Sequence, residues 1–379
     1  MDHKKIVRAV TVSQSLTFCR DVMIDMRRKG YEMIAVASPG PELKSLREED
    51  EFRCIAVPME RHISIVKDLK SLYRLIKVFH KERPYIVHSM TPKAGLLCMV
   101  AAWITRVPRR VHTFTGLVWP TATGITRRIL MFTDWITCAC ATHVIPEGKG
   151  VMDDLHRCIT HKPMKVLGYG NVRGVDMEFW RRDNADGEMM NGLVEPDKFT
   201  FLFVGRIVKD KGINELVEAF VRITEKRKNV RLLLVGRFED DLDPVSDLTR
   251  KKIDECENIV YVGTQRGRQL LACYAASDCF VFPSYREGFP NTVLEAGAME
   301  LPSIVTDING SREIIENGVN GLIVPAKDVD ALLDAMNSMV DDNGMRERMR
   351  RNARGMIASR FEQGFVRKCL MDFYDTLID

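Results

Sequence analysis

Short apolar runs rich in β-branched residues alternate with helix-length amphipathic segments, and this alternation restricts the possible folds more than any other feature. Amphipathic stretches such as Leu16–Lys29, Asp68–Lys81, Gly212–Glu225 and Val329–Met339 lie between the runs. Strand–helix alternation of this kind requires parallel sheets covered by helices on both faces. The sequence therefore predicts an α/β protein with doubly wound sheets. The strand-like runs are Ile6–Val12, Met33–Ala37, Arg53–Val57, Tyr85–Ser89, Arg110–Thr115, Thr142–Ile145, Thr200–Val204, Arg231–Val235, Ile259–Val262, Cys279–Phe282, Ser303–Thr306 and Gly321–Val324.

A break in this pattern divides the chain close to Gly168–Val175. The surrounding tract is rich in Gly, Asn and Asp and poor in periodic apolar residues. A chain of 379 residues also exceeds the size of one ordinary core. We predict an N-terminal domain over residues 1–172, a C-terminal domain over 173–360 and a terminal amphipathic helix within 361–379. In doubly wound sheets, ligands bind outside the carboxyl ends of the strands.

The charge is unevenly distributed. Residues 1–170 hold 27 Lys and Arg against 16 Asp and Glu, a balance of +11, whereas the whole chain has a net charge of +4. A basic half favours an anionic partner, namely nucleic acid, anionic lipid or a phosphorylated substrate, with an ordinary solvated surface as the alternative. We expect no nucleic-acid partner, because the sequence contains no recognition helix, zinc finger or aromatic–basic platform.

Metal ligands and membrane spans are also missing from the sequence pattern. The ten cysteines include no C-x2-C pair and there is no H-E-x-x-H motif, so no metal site is predicted. Met1–Lys5 leads into a strand without a signal-peptide core, which favours a cytoplasmic protein. The most apolar stretch, Ile129–Ile145, contains Asp134 and is short for a bilayer span, so we predict a buried core helix there.

Three strand–loop–helix segments in the second half carry candidate binding residues. The first is Val204–Gly212, in which Gly205 allows a tight turn off the strand and Arg206 and Lys211 share one loop. A helix N-terminus after this loop favours an anion, so the two cations suit a diphosphate held from two sides. A merely solvated basic loop is the alternative.

The second segment, Phe282–Ala296, is more specific. It predicts a helix that begins near residue 290, with Glu287 on the preceding loop and Glu295 in the second turn. Gly288 allows the backbone to approach a ligand closely. Carboxylates on both sides of a helix N-terminus suit two sets of hydroxyls on one ligand, although ordinary turn and helix acids have the same spacing.

The third segment is Ser303–Glu313, again a strand, a glycine turn and a helix start. Ser311 is predicted to cap the helix and Glu313 to lie in its first turn, where the helix dipole favours an acid. Capping alone explains both residues.

Together these segments resemble family 4 retaining glycosyltransferases of the GT-B fold. The likeness lies in an E-x7-E pair with G-F-P between its acids, an upstream G-R-x4-K-G, and the downstream patterns T-D-x-x-G-S-x-E and N-G-x-x-G-L-I-V-P, over Val204–Pro325. A weaker likeness at Ser38–Gly40, Arg61–Leu69, Ile86–Gly95 and Thr113–Leu117 is to the bacterial branch that builds capsule, O-antigen or protein-linked glycans on undecaprenyl diphosphate. The resemblance implies two facing Rossmann-like domains, with the C-terminal helix crossing back to the first.

The resemblance also implies roles for single residues. Arg206 and Lys211 would bind the donor diphosphate and stabilise the leaving nucleotide, so that no metal or other cofactor is needed. Glu295 would hold the ribose hydroxyls and Glu287 the hydroxyls of the donor sugar. No carboxylate nucleophile is implied, since glycoside hydrolysis would need paired acids across the scissile bond. Further donor contacts would come from Gly205, Gly288, Phe289, Pro290 and Asn291.

On the acceptor side, the resemblance points to His88 and Lys93 near the end of the fourth strand, and to Thr115 and Gly116. Lys93 suits the diphosphate of the acceptor, whereas a buried, satisfied side chain is the alternative for His88. Two departures from the family pattern affect this side. Ser13–Ser15 lies where many relatives have a glycine pair.

The second departure is at Thr115, which precedes Gly116 where many relatives have histidine. His112 lies three residues earlier and is predicted to be on the strand itself. Both departures concern the acceptor side and leave the donor motifs intact.

The excess of basic residues is partly carried by Lys67–Arg83, with further clusters at Arg106–Arg110 and Arg127–Arg128. The last pair precedes the bulky apolar residues of Ile129–Trp135, and basic residues beside apolar ones suit attachment to an anionic membrane surface. Together with the resemblance, this surface implies a retaining transferase that moves a sugar from a UDP-sugar to a polyprenyl-diphosphate-linked saccharide at the cytoplasmic face of the inner membrane. A glycosyltransferase with a soluble acceptor and a nucleotide-sugar epimerase on the same scaffold remain open, as does a GDP-sugar donor.

Overall fold

A computed structural model describes residues 5–60, 64–240 and 243–378. The first four residues, on which the cytoplasmic prediction partly rests, and residues 61–63, which begin the segment Arg61–Leu69, lie outside the described part. The chain forms two compact units. One comprises Met1–Arg173 and Gly364–Asp379, and the other comprises Gly174–Gln363. The sequence placed these divisions after residues 172 and 360.

The first unit is built on a six-stranded parallel sheet in the order β3-β2-β1-β4-β5-β6. Its strands are β1 (Lys5–Ala9), β2 (Glu32–Ala37), β3 (Arg53–Ala56), β4 (Ile86–Met90), β5 (Arg109–Phe114) and β6 (His143–Pro146). The helices are α1 (Arg20–Arg28), α2 (Pro41–Glu48), α3 (Ile65–Glu82), α4 (Pro92–Ile104), α5 (Gly124–Cys140) and α6 (Lys149–Cys158), with a 3-10 helix over Ser13–Phe18.

The second unit has the same kind of sheet, in the order β12-β11-β10-β7-β8-β9. Its strands are β7 (Phe199–Val204), β8 (Val230–Val235), β9 (Ile259–Tyr261), β10 (Cys279–Phe282), β11 (Ser303–Thr306) and β12 (Gly321–Val324). The helices are α7 (Gly187–Met190), α8 (Ile213–Lys226), α9 (Asp247–Glu255), α10 (Gly267–Ala275), α11 (Asn291–Ala298), α12 (Ser311–Ile314), α13 (Val329–Asp341) and α14 (Asn343–Phe361), with 3-10 helices over Arg182–Asn184 and Lys209–Lys211. The predicted α/β class with doubly wound parallel sheets is confirmed.

The last helix, α15 (Gln363–Ile378), lies almost entirely in the first unit. Leu370, Tyr374 and Leu377 join the core on the side of the sheet that α1 and α2 also cover. Burying a leucine side chain contributes about 1.5–3 kcal/mol. The first unit therefore depends on a segment far away in sequence for part of its core.

Alternation along the strands produces two cores in the first unit. Ile6 faces the layer of α1, α2 and α15, whereas the adjacent Val7 faces the layer of α3–α6. Successive side chains of a strand point to opposite faces. Strands buried on both faces need the near-continuous apolar runs seen in the sequence.

In both sheets the strand order reverses beside the first strand of the unit. β1 lies between β2 and β4, and β7 lies between β8 and β10. Loops on either side of such a reversal diverge and leave room for a ligand. The loops after β1 and β4, and those after β7 and β10, are therefore the places to look for sites.

One prediction is wrong in detail. Ile129–Ile145 is not a single buried helix, because α5 ends at Cys140 and β6 begins at His143. The helix also leaves Ile129, Phe132 and Trp135 exposed. α5 covers the sheet with one face only, so its apolar residues on the outer face have no core to enter. Among the residues that the structure describes, no helix is both long and apolar enough to span a bilayer.

Candidate active site

The loops after β7 and β10 meet in the second unit. Gly212 has a φ of +70°, and a Cβ there would lie 2.0 Å from the carbonyl oxygen of Pro283. The Asp210 carbonyl accepts a hydrogen bond from the Tyr285 amide at 2.8 Å, and Ser284 Oγ lies 3.2 Å from the same carbonyl oxygen. Only glycine fits this close approach at a positive φ.

Lys211 and Glu287, one from each of these loops, form an ion pair between Nζ and Oε1. Ser284 Oγ donates to the same carboxylate oxygen at 2.8 Å. Both charged side chains are 15% exposed. The structure thus brings together two of the residues to which the sequence assigned donor contacts, and it orients the carboxylate through Ser284.

Arg206 follows Gly205 directly, at the beginning of the loop after β7. Its Nη1 donates to Glu239 Oε2 at 2.8 Å, and Arg237 Nη2 donates to Glu239 Oε1 at 2.6 Å. Burial acts to raise the pKa of Glu239, but the hydrogen bonds and charges of Arg206 and Arg237 hold that pKa below its ordinary value.

Arg237 and Glu239 were not predicted from the sequence as site residues. The available signal was their position immediately after the buried strand β8, at the same carboxyl edge as Arg206.

Glu295 is buried on α11. Its Oε2 accepts a hydrogen bond from Tyr274 Oη at 3.1 Å, and the same hydroxyl lies 3.2 Å from the carbonyl oxygen of Thr292. Burial, together with the Glu295 charge, raises the pKa of Tyr274 well above its ordinary value. Tyr274, which the sequence analysis did not single out, is therefore a hydroxyl donor to this carboxylate.

The loop before α11 packs against the loop after β11. Gly288, Phe289 and Pro290 are buried, and Asn291 is the first residue of the helix. A Cβ at Gly310, whose φ is +74°, would lie 2.3 Å from the carbonyl oxygen of Gly288. The loop after β11 therefore supports the loop that carries the predicted donor contacts.

The N-terminal cap of α12 is not the serine that the sequence predicts. Gly310, not Ser311, occupies the cap position, and its amide donates to Glu313 Oε1 at 3.2 Å. Ser311 is the first helical residue, and its buried Oγ has no hydrogen-bond partner within the described ranges. Serine caps only from a non-helical backbone, and the glycine turn took that place.

In the first unit, His88 is an interior residue. It occupies the middle of β4, not its end, and is fully buried. Nδ1 contacts Arg8 Nη1 and lies 2.7 Å from Tyr374 Oη, while Nε2 lies 2.7 Å from Thr113 Oγ1. Burial and the nearby Arg8 charge put the pKa of His88 well below its ordinary value. The side chain is a neutral part of the core that connects β1, β4 and α15.

His112 lies on β5, as predicted, and is also buried. Ser89 Oγ is 2.8 Å from its Nδ1. A Cβ at Gly95 would lie 2.4 Å from the His112 ring, so the glycine of α4 makes room for the imidazole. Burial lowers the pKa of His112 to about 3. Thr115 and Gly116 follow the strand and are half-buried.

Lys93 lies in the first turn of α4 and pairs with Asp68 of α3, with 2.5 Å between Nζ and Oδ2. Next to it, Thr91 has a φ of +73°, which is strained for a non-glycine residue. Thr91 Oγ1 lies 2.7 Å from Thr11 Oγ1 and accepts from the Thr11 amide at 3.1 Å. These contacts join the loops after β1 and β4, where the strand order reverses.

The other departure from the family pattern, at Ser13–Ser15, falls in the 3-10 helix after β1. Ser13 Oγ donates to Glu42 Oε2 at 2.5 Å. Within the part of the chain that the structure describes, no group of three or more His, Cys, Asp or Glu side chains is arranged to hold a metal ion.

Two family models match the chain. "Glycosyl transferases group 1" covers residues 188–356, and "Glycosyl transferase 4-like domain" covers residues 17–170. The capsular polysaccharide biosynthesis glycosyltransferase CapM of Staphylococcus aureus is 34% identical over 383 residues, which span 100% of this chain and 98% of the relative. This chain belongs to the group 1 glycosyltransferases.

Two further similarities extend this result. An Escherichia coli protein named UDP-Gal:alpha-D-GlcNAc-diphosphoundecaprenol alpha-1,3-galactosyltransferase is 29% identical, with 83% of this chain and 81% of that protein covered. The crystal structure of Anabaena Alr3699/HepE with UDP-glucose aligns with a TM-score of 0.80 at 17% identity, over 98% of this glycosyltransferase and 99% of that chain. The fold is therefore that of the GT-B glycosyltransferases.

Proposed function

We propose that this glycosyltransferase moves a sugar from a UDP-sugar to a polyprenyl-diphosphate-linked saccharide, with retention of anomeric configuration, in bacterial surface glycan assembly. The observation that carries the donor half is the ion pair between Lys211 and Glu287, which joins the loops after β7 and β10 beside the strand reversal in the second unit. Arg206 belongs to the same loop after β7. Support for the acceptor half comes from the similarity, over 83% of this chain, to the galactosyltransferase named for diphosphoundecaprenol-linked GlcNAc. The full-length similarity to CapM supports a role in surface glycan assembly.

In this proposal, Arg206 and Lys211 bind the donor diphosphate. Arginine and lysine favour the leaving group because they stabilise the negative charge that develops on it. Glu287, oriented by Ser284, accepts hydrogen bonds from the donor sugar, and Glu295, oriented by Tyr274, accepts them from the ribose.

The remaining donor contacts are carried over from the resemblance, and those loop residues that have a backbone N–H, which excludes Pro290, direct it to the phosphates. These contacts come from Gly205, Gly288, Phe289, Pro290 and Asn291.

Transfer breaks the bond between the anomeric carbon and the diphosphate oxygen, and forms a bond to the acceptor hydroxyl oxygen on the same face. The proton of the acceptor hydroxyl passes to the leaving diphosphate, so no protein nucleophile is required. The two basic side chains offset the charge of the diphosphate, and we propose that transfer needs no metal or other cofactor.

On the acceptor side, Lys93, Thr115 and Gly116 are proposed to contact the acceptor. Lys93 lies at the N-terminus of α4, where a diphosphate would also meet helix amides. His88 is proposed to act indirectly, by holding β4 against α15, because its nitrogens face other core residues.

The first unit is further proposed to dock on the anionic cytoplasmic leaflet of the inner membrane. α3 exposes four large apolar residues in its first turns, and α5 exposes four more. Basic side chains flank both sets, a combination that suits the interface of an anionic bilayer. We call this the basic–apolar surface; it consists of Ile65, Val66, Leu69 and Tyr73 with Lys67, Lys70, Arg74 and Lys77 on α3, and Ile125, Ile129, Phe132 and Trp135 with Arg127 and Arg128 on α5.

The reaction is tested by incubating the protein with single UDP- and GDP-sugars and an undecaprenyl-diphosphate-linked saccharide. Release of nucleoside diphosphate and a one-sugar mass increase of the lipid are expected for a UDP-sugar, and NMR of the product should show retained configuration. Glu287→Ala should abolish the increase, whereas Asp330→Asn, which breaks an exposed ion pair with Arg222, should not. Nucleotide release without a lipid product would mean that the sugar passes to water, and would contradict the proposal that this lipid-linked saccharide is the acceptor.

A further inference from the structure

In the part of the chain that the structure describes, Glu239 forms ion pairs with two arginines, Arg206 on the loop after β7 and Arg237 on the loop after β8. Its side chain is 8% exposed, whereas those of Arg206 and Arg237 are 42% and 60% exposed. Glu239 Oε2 accepts a hydrogen bond from Arg206 Nη1 at 2.8 Å, and Glu239 Oε1 accepts one from Arg237 Nη2 at 2.6 Å. A buried acid thus anchors two solvent-facing cations.

The backbone holds Glu239 in this position. The Ile207 amide donates to the carbonyl of Arg237 at 2.8 Å, and Ile207 forms a parallel bridge with Phe238. Further along, the Asp210 amide donates to Asp243 Oδ2 at 2.6 Å. The loop after β8 is therefore fastened along the loop after β7, and the distance between Glu239 and Arg206 does not depend on side-chain contacts alone.

We propose that Glu239 is a positioning residue, which holds the Arg206 guanidinium in place for the donor diphosphate. Arg237 neutralises the negative charge of Glu239. The proposal rests on the proposed function, in which Arg206 binds that diphosphate. Glu239 takes only Nη1 of Arg206, and a guanidinium has five N–H donors in a planar fork, so the exposed remainder is available to phosphate oxygens. Because the Arg206 guanidinium is already fixed by this hydrogen bond, the side chain loses less rotamer freedom when it binds the diphosphate.

Two effects of Glu239 oppose each other. Its hydrogen bond orients Arg206, but its negative charge repels a diphosphate. Orientation prevails because Arg237 neutralises Glu239. The Glu239–Arg237 pair has no net charge, so its electrostatic repulsion of the diphosphate is small. Removal of both side chains therefore tests orientation at constant net charge, whereas Glu239→Gln removes the charge and keeps an oxygen acceptor.

The experiment measures UDP binding by titration calorimetry, and donor KM and kcat by nucleotide release, for Glu239→Gln, Arg237→Ala and the double variant Glu239→Ala/Arg237→Ala. We expect UDP binding about tenfold weaker for the double variant, the size of one lost hydrogen bond to a charged group. The loss should appear in both KM and kcat. The glutamine variant should lose less UDP affinity than the double variant, because its amide keeps one acceptor oxygen for the two arginines.

The same changes in an Arg206→Ala background provide the control. If Glu239 acts through Arg206, the double variant should add no further loss of UDP binding there. An equal loss in both backgrounds would overturn the proposal, as would tighter UDP binding by Glu239→Gln, which would mean that Glu239 masks Arg206. Absence of UDP and GDP binding by the unaltered protein would contradict the proposed function itself.

Discussion

Lys211 and Glu287 are joined by an ion pair that connects the loop after β7 to the loop after β10, two strands that are neighbours in the sheet although 76 residues separate the pair. The pair lies where the strand order reverses. A donor diphosphate that approaches Lys211 therefore also meets the carboxylate proposed to hold the sugar.

Replacement of Lys211 by alanine should lower kcat about 10²- to 10³-fold, because the leaving diphosphate loses a charge-stabilising donor. The measurement is steady-state nucleotide release with a saturating donor. Lys252→Ala, which removes the ion pair with Glu218 of α8, is the matched control and should retain activity. Equal kcat values for the Lys211 variant and the parent would contradict the role of Lys211.

Tyr274→Phe should weaken UDP binding severalfold and lower the free energy of unfolding by about 1 kcal/mol, since the substitution removes a buried hydroxyl that donates to Glu295. Calorimetric titration with UDP and urea unfolding check the two effects separately. If stability falls but UDP affinity is unchanged, Tyr274 supports the core alone and does not orient Glu295.

Chelation of divalent metals should leave transfer unchanged, because Arg206 and Lys211 are proposed to offset the diphosphate charge. The assay compares initial rates in EDTA with rates in added Mg²⁺ or Mn²⁺, after dialysis of the protein against chelator. A rate that is lost in EDTA and restored by one of these ions would contradict this prediction.

Stability should fall as the pH falls below about 6.5, the pKa of an unfolded histidine. Burial lowers the pKa of His112 to about 3, so below pH 6.5 the unfolded state binds more protons than the folded state. This group contributes a slope of about 1.4 kcal/mol per pH unit between those values.

Urea unfolding at several pH values between 4.5 and 7.5 measures this slope. In His112→Asn the slope should be smaller by that amount, whatever the overall loss of stability. An unchanged slope in the variant would show that His112 does not carry this pH dependence.

Trp135→Glu and Phe132→Glu should reduce flotation of the protein with anionic vesicles at low salt, because each places a charge in the basic–apolar surface. The control is Leu248→Glu on α9 of the second unit, where the leucine is comparably exposed. Failure of the unaltered protein to float with anionic vesicles would refute the proposed membrane docking.

Much of the architecture was predictable because it depends on local pattern. Buried parallel strands require continuous apolar runs, and all twelve predicted runs overlap observed strands. The start of α11 was also predictable, since Pro290 favours the beginning of a helix and the observed helix begins at Asn291. The outer face of α5 was not, because a stretch of apolar residues does not indicate which of them a sheet will cover.

By itself, the sequence determined the α/β class, the strands of both sheets and the loops that carry Arg206, Lys211, Glu287 and Glu295. The tertiary structure alone decided the partners of these side chains. Arg206 meets Glu239 because β7 and β8 are adjacent in the sheet, and His88 is enclosed because α15 returns to the first unit. Charge pairing and burial depend on which distant segments become neighbours in space, and residue spacing along the chain contains no record of that.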